Sequence, residues 1–299
     1  MPVEAVHQSA LVDSLSRASA WVRRATSGMN HDAARLGAMF VDLPYFDRFA
    51  VAVVRYALRR PQAPSHFGEL FHQKTPITLG RLFGEAGQRL AQKSATEEAG
   101  KTLTALALGY VSHAAVDTSM HPHINALARR RAARSGLCPS QEHHEIEKFH
   151  SLIFHEQRFS ADLMGTEKLQ RYIEVDGRIL GDDGAIGDAV QAALCTVHGQ
   201  GPTRADLRRY AAGYLQYCAL IGNAIVGPRI GPRKQREAAR AEVYDDFDFP
   251  GRFASAVEKS LSYLDAFGAY LSDGVFDESA KRALFAQVPE GSIDPDPTT

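Results

Sequence analysis

The sequence predicts an all-α protein, and three observations point there. Apolar residues recur at three- and four-residue spacings along most of the chain. No run alternates apolar and polar residues as a half-buried strand would. Gly or Pro closes the periodic segments where helices would stop. No internal repeat is present.

The first helix is expected over residues 3–26, with Val6, Ala10, Leu11, Leu15, Ala18 and Val22 on one stripe and Gly28 and Asn30 as its stop. A short helix follows over 32–40 and ends near Leu43–Pro44, because the residue before a proline avoids helical backbone. Residues 47–59 form the next, closed by Pro61 and Pro64, and then 76–93. The Ala- and Leu-rich stretch 95–120 is apolar enough to be central, and Pro122 should terminate it. A loop, RRRAARSGLCPSQ, leads into a helix over 141–164. Residues 168–193 hold the polar turn GDDGAIGD. Residues 206–225 are helical, GPRIGPRK is a breaker, and 236–241 and 254–271 are helical again. The expected organisation is one domain over residues 1–285, with a C-terminal helical half over 165–285. The polar, Pro-containing tail 286–299 is expected to be disordered.

The formal net charge is −1, so no global positive field exists to hold nucleic acid. Cys138, Cys195 and Cys218 are odd in number and none lies in a Cys-x-x-Cys pair. They read as buried, reduced thiols in a reducing compartment, and thiolate metal binding is not expected. The N-terminus has helical spacing without a basic start and apolar core, and no apolar run reaches membrane-span length. The expectation is a cytoplasmic protein without a signal peptide.

Five of the twelve histidines lie between His113 and His144. His113, Asp117 and His121 are spaced i, i+4, i+8, so on a helix they share one face, spread over about 80°. Their neighbours are Ala, Leu and Val. A carboxylate buried there is costly unless paired or metal-bound. His143 and Glu147, in EHHEIEKFH, are again i, i+4 on one face. Lys148 stands where the zincin pattern would need its second His. Two helices joined by a loop can face each other with these five groups, a mixed nitrogen and oxygen set that suits zinc. Upstream, Asp42 is the single acid in an apolar run before a Pro turn, either a functional carboxylate or a helix cap. His72 sits beside Phe71, and spacing alone does not separate it from His66, nor His121 from His123. His7 lies on the apolar side of the first helix, the usual place of a core histidine.

Together LGYVSHAAVDTSMHP, HHEIE, GAMFVDLPYF and LFH resemble the bacterial zinc-dependent phospholipase C family, over about residues 1–160. The related helical single-strand-specific zinc nucleases share this layout. The resemblance implies an all-α fold and a zinc cluster within residues 1–160. Carried over by residue, Asp42, His72, His113 and Asp117 would hold one zinc ion, and His121, His143 and Glu147 another. Asp117 would bridge toward a third, with His7 and the N-terminal residue. Family enzymes offer a mature N-terminal Trp to that third ion. Here the chain starts Met-Pro with Trp21 inside the first helix, so two zinc ions are expected. The spacing from Asp117 to His121 is also shorter than in the secreted phospholipases, where His123 would fit better; His121 is preferred because the i+4 step keeps it on the helix face. The implied activity is hydrolysis of a phospholipid or other phosphodiester, with Asp42 as the catalytic group that orients or deprotonates water, and peripheral membrane contact is compatible with it. Nucleic acid is less well supported, because the basic run ARRRAAR lacks interleaved aromatics. Two rivals remain: an HD-type phosphohydrolase, suggested by His31–Asp32, and a non-catalytic helical scaffold.

Overall fold

The computed structural model describes residues 4–57, 65–73 and 76–290. Among these the chain is all α, without a strand. Its axis is a 39-residue helix, counted seventh along the chain: α1 (Glu4–Leu15), α2 (Ala20–Ala25), α3 (Asn30–Gly37), α4 (Phe49–Ala57), α5 (His66–Gln73), α6 (Pro76–Ala91) and α7 (Glu97–Ser135). Then come α8 (Pro139–Phe159), α9 (Glu167–Ile173), α10 (Ala185–His198), α11 (Arg204–Gly222), α12 (Gly227–Ile230), α13 (Arg233–Arg240), α14 (Phe249–Asp273) and α15 (Glu278–Gln287). Helices α1, α3, α6, α8 and α14 all pack on α7. It is therefore buried nearly all round from Leu103 to Val116, as its Ala- and Leu-rich sequence demands.

Two glycines set the closest of these crossings. A Cβ at Gly109 of α7 would collide with the Ala34 carbonyl of α3, and one at Gly37 of α3 with the Leu106 carbonyl of α7. The backbones approach to a distance no side chain allows. The same approach brings the Ala38 carbonyl within hydrogen-bonding reach of His113.

Several boundaries differ from the sequence expectation. Pro122 does not end α7, which runs on to Ser135 and stops at Gly136 in the left-handed conformation (φ 74°). The missing amide at Pro122 costs a hydrogen bond, but the extension buries Ile124, Leu127 and Ala128 in a core cluster with α8 and α14. Arg131 also pairs with Glu142 and Glu242. Tertiary packing overrides the local penalty, and RRRAARS is helix rather than loop. The single helix expected over 3–26 breaks between Leu15 and Ala20. There Ser16 bonds the Asp13 carbonyl and Ser19 caps α2, so hydroxyls take over backbone partners. The breaker GPRIGPRK contains the one-turn helix α12, and α15 was not expected. Residues 58–64, with Pro61 and Pro64, and residues 291–299 of the expected tail lie outside the described residues. The three cysteines are free, but only Cys218 is buried as expected; Cys138, just before α8, and Cys195, in the last turn of α10, are exposed. No helix of the described residues is long and apolar enough to cross a membrane.

Candidate metal centre

Five elements bring eight polar side chains to one place. Helix α7 supplies His113, Asp117 and His121, α8 supplies His143 and Glu147, and α1 supplies His7. Asp42 precedes the 3-10 turn Leu43–Phe46, and His72 lies in the last turn of α5. Asp42 makes no capping bond, so its carboxylate is free to face His72. The i, i+4, i+8 spacing on α7 does what helix geometry requires, and its three side chains point one way. His66 and His123 are exposed, whereas His72 and His121 are buried in the cluster. Asp32, exposed on α3, pairs with Arg35 away from it.

Asp117 is the hub. Its Oδ1 lies 3.3 Å from His7 Nε2 and 3.5 Å from His121 Nε2. Its Oδ2 lies 2.8 Å from His113 Nε2 and 3.7 Å from His72 Nε2. Asp42 Oδ1 is 3.4 Å from His72 Nε2. Glu147 Oε1 is 3.1 Å from His143 Nε2 and 3.4 Å from His121 Nε2. The His7 and His113 rings stack at 4.0 Å. Three triads result: His7–His113–Asp117 and Asp42–His72–His113, which share His113, and His121–His143–Glu147.

Hydrogen bonds from behind fix which nitrogen faces inward. His113 Nδ1 donates to the Ala38 carbonyl at 2.8 Å, His72 Nδ1 to the Gly68 carbonyl at 2.7 Å, and His143 Nδ1 to Asn125 Oδ1 at 2.6 Å. With the proton on Nδ1, each ring, in the neutral form a metal requires, would turn an Nε2 lone pair toward a carboxylate. His113 Nε2 and Asp117 Oδ2, though 2.8 Å apart, lack the alignment of a hydrogen bond. Two acceptors held this close in a buried site repel unless a cation lies between them. Donor atoms about 2.1 Å from a tetrahedral zinc ion sit about 3.4 Å from one another, and the separations here range from 2.8 to 3.7 Å. Five imidazoles and three carboxylates supply a nitrogen and oxygen set that fits divalent zinc, and those carboxylates could offset the charge of more than one ion.

The electrostatics agree with ionised acids. Burial opposes charge on Asp117, yet His113, His121 and His7 hold it well below the usual carboxylate range. Glu147 is likewise held well below, its burial outweighed by His143 and His121. Asp42 is lowered by His113 and His72 against its own burial. Burial and the neighbouring His113 push His7 down to about 4, which keeps it in the neutral form a metal requires. Burial alone would lower His113, but Asp117 and Asp42 raise it to about 9; a proton there occupies the position a cation would take.

Three neighbours escaped the sequence reading. Asn125 lies one turn beyond His121, past the expected end of the helix. Tyr45 lies beside the cluster, its ring tilted against His72 at 5.7 Å and edge-on to His144 at 6.5 Å; the only signal was an aromatic three residues after Asp42. His150 lines the same small cavity as His7, Asp117 and Glu147, and its Nε2 donates to the Val243 carbonyl.

A family model described as zinc dependent phospholipase C matches residues 7–176. The match starts at His7 and spans all eight residues. Neither a curated protein nor a solved structure matches. With more than half of its length matched, the chain belongs to the zinc-dependent phospholipase C family.

Proposed function

We propose that this protein hydrolyses phosphodiesters of the phospholipid class, using zinc ions held by His7, Asp42, His72, His113, Asp117, His121, His143 and Glu147. The observation that carries this is the common orientation of His72, His113 and His143. Each gives its Nδ1 proton to a fixed oxygen and presents Nε2 to a carboxylate. The family supports the lipid substrate class.

When bound, zinc supplies Lewis acidity that draws charge from the phosphate oxygens and eases deprotonation of water. Asp117 touches four imidazoles and fixes the spacing of the groups around it. Asp42 has the most exposed side chain of the three carboxylates, 16% against 3% for Asp117 and 8% for Glu147. It is the one placed to meet incoming water. Held ionised, it accepts the proton as water adds to phosphorus. The bond from phosphorus to the glycerol oxygen breaks, diacylglycerol leaves with a proton, and the head group departs as a phosphate monoester. Tyr45 and the half-exposed His144 border the opening where that head group would enter.

The test is hydrolysis of phosphatidylcholine and of a p-nitrophenyl phosphodiester by zinc-loaded protein. Asp117→Asn keeps the shape but removes the central charge, and activity should fall by about two orders of magnitude or more. Equal activity in both proteins would remove Asp117 from the centre. A wild type that binds zinc yet cleaves neither ester would favour the scaffold reading.

A further inference from the structure

Helix α4 is an apolar helix on the outside of the protein. None of its described side chains is fully buried, and it rests on α11 through Phe49, whose ring meets Phe46 and Tyr217 at 6.2 and 5.8 Å. Its outer stripe runs Arg48, Val51, Val54, Arg55, the i, i+3, i+6, i+7 positions of one face. Val51 is 53% and Val54 57% exposed. Other exposed large apolar side chains of the described residues are scattered singly, as on most surfaces. Among the described residues neither the Arg48 nor the Arg55 guanidinium makes an ion pair. Arg131 and Arg134 of the basic run on α7, by contrast, are engaged by Glu142 and Glu242. The stripe adjoins the centre in the chain. Asp42 and Tyr45 lie just before α4, and α5 with His72 follows.

We infer that this face of α4 docks the protein on a bilayer that contains anionic phospholipid, with Val51 and Val54 entering the interface and Arg48 and Arg55 meeting lipid phosphates. Two valines between arginines that pair with no acid among the described residues match the chemistry of such an interface, apolar below and negative at the surface. Docking there anchors the helix that directly follows Asp42 and Tyr45 in the chain. The inference rests on the phospholipid reading, but binding is measured without turnover, so the two can fail separately.

The experiment is flotation of the full zinc-loaded chain with vesicles of phosphatidylcholine alone, or of phosphatidylcholine and phosphatidylglycerol in equal parts. Asp117→Asn serves as a second protein with the surface intact and turnover suppressed. Binding to the mixed vesicles, weakened by 0.5 M salt, is expected. Arg48→Gln with Arg55→Gln should lower partitioning about fivefold per arginine. Val51→Asp with Val54→Asp should lower it at least tenfold. Rates on the soluble p-nitrophenyl diester should stay at the wild-type level in both variants. If the valine variant melts early, the arginine variant alone decides. No binding to anionic vesicles, or equal binding by wild type and variants, overturns the inference. So does a concentration-dependent dimer that the valine variant abolishes, which would make the face a contact between copies.

Discussion

Replacing Asn125 with alanine removes the acceptor that orients His143, and leaves both proposed ligands on α8, His143 and Glu147, untouched. Asn125 is 2% exposed and its Oδ1 lies 2.6 Å from His143 Nδ1. Without it the ring can rotate or shift its proton to Nε2, the atom 3.1 Å from Glu147. Loss of such an outer partner typically weakens metal affinity about 10- to 100-fold, or about 1.4 to 2.7 kcal/mol. The effect should fall on the ion shared by His121, His143 and Glu147, because His113 and His72 draw their orientation from the Ala38 and Gly68 carbonyls. The assay is competition against a chromophoric chelator, on metal-free wild type and variant, with melting of the metal-free forms to register any loss of fold. One class of zinc should weaken and the other hold. Asn125→Asp restores the acceptor with added charge, and its affinity should equal or exceed that of the wild type. Unchanged affinities in Asn125→Ala, or an equal fall in every class, would refute the reasoning.

Three further outcomes follow from other features. Burial raises the pKa of Glu4 to about 7, with the Tyr217 hydroxyl 3.2 Å away. Because the folded form holds this proton more tightly, its stabilising contribution is full below about pH 4.5 and is lost as pH rises through 7. That is about 3 kcal/mol at pH 8. Glu4→Gln should flatten the stability profile between pH 4.5 and 7 and raise the melting temperature at pH 8, and parallel profiles would contradict it. Gly109→Ala drives a methyl into the Ala34 carbonyl; overpacking should cost about 1 to 3 kcal/mol and lower the melting temperature by several degrees. It should also weaken zinc binding through the Ala38–His113 bond, and an unchanged melt would show a looser crossing. Asp42→Asn should lower hydrolysis of the p-nitrophenyl diester about 100-fold or more while most of the zinc stays bound; full activity would move the role of base elsewhere.

That the candidate ligands of the long helix come together could be read from the chain because helix geometry is local. His113, Asp117 and His121 share a face whatever surrounds them, and so do His143 and Glu147. Choosing His72 over His66 and His121 over His123 needed burial, which depends on what packs against α5 and α7. Asn125 was hidden by a sound local rule. Proline at 122 does disfavour helix, and only the packing of Ile124 and Leu127 against α8 and α14 outweighs it. The break of the first helix at Ser16–Ser19 was equally invisible, since the hydroxyls that cause it fit helix and turn alike. Glu4 carried no signal at all. Its buried partner, the Tyr217 hydroxyl, lies more than two hundred residues away in the chain.

The proposed function requires eight side chains to act as one zinc centre, and zinc content tests that most directly. Elemental analysis of wild type and Asp117→Asn, each stripped with chelator, reloaded with zinc and desalted, should give at least two ions per wild-type chain and at least one fewer in the variant. A wild type that retains less than one zinc ion per chain, or a variant that retains as many as the wild type, would contradict it.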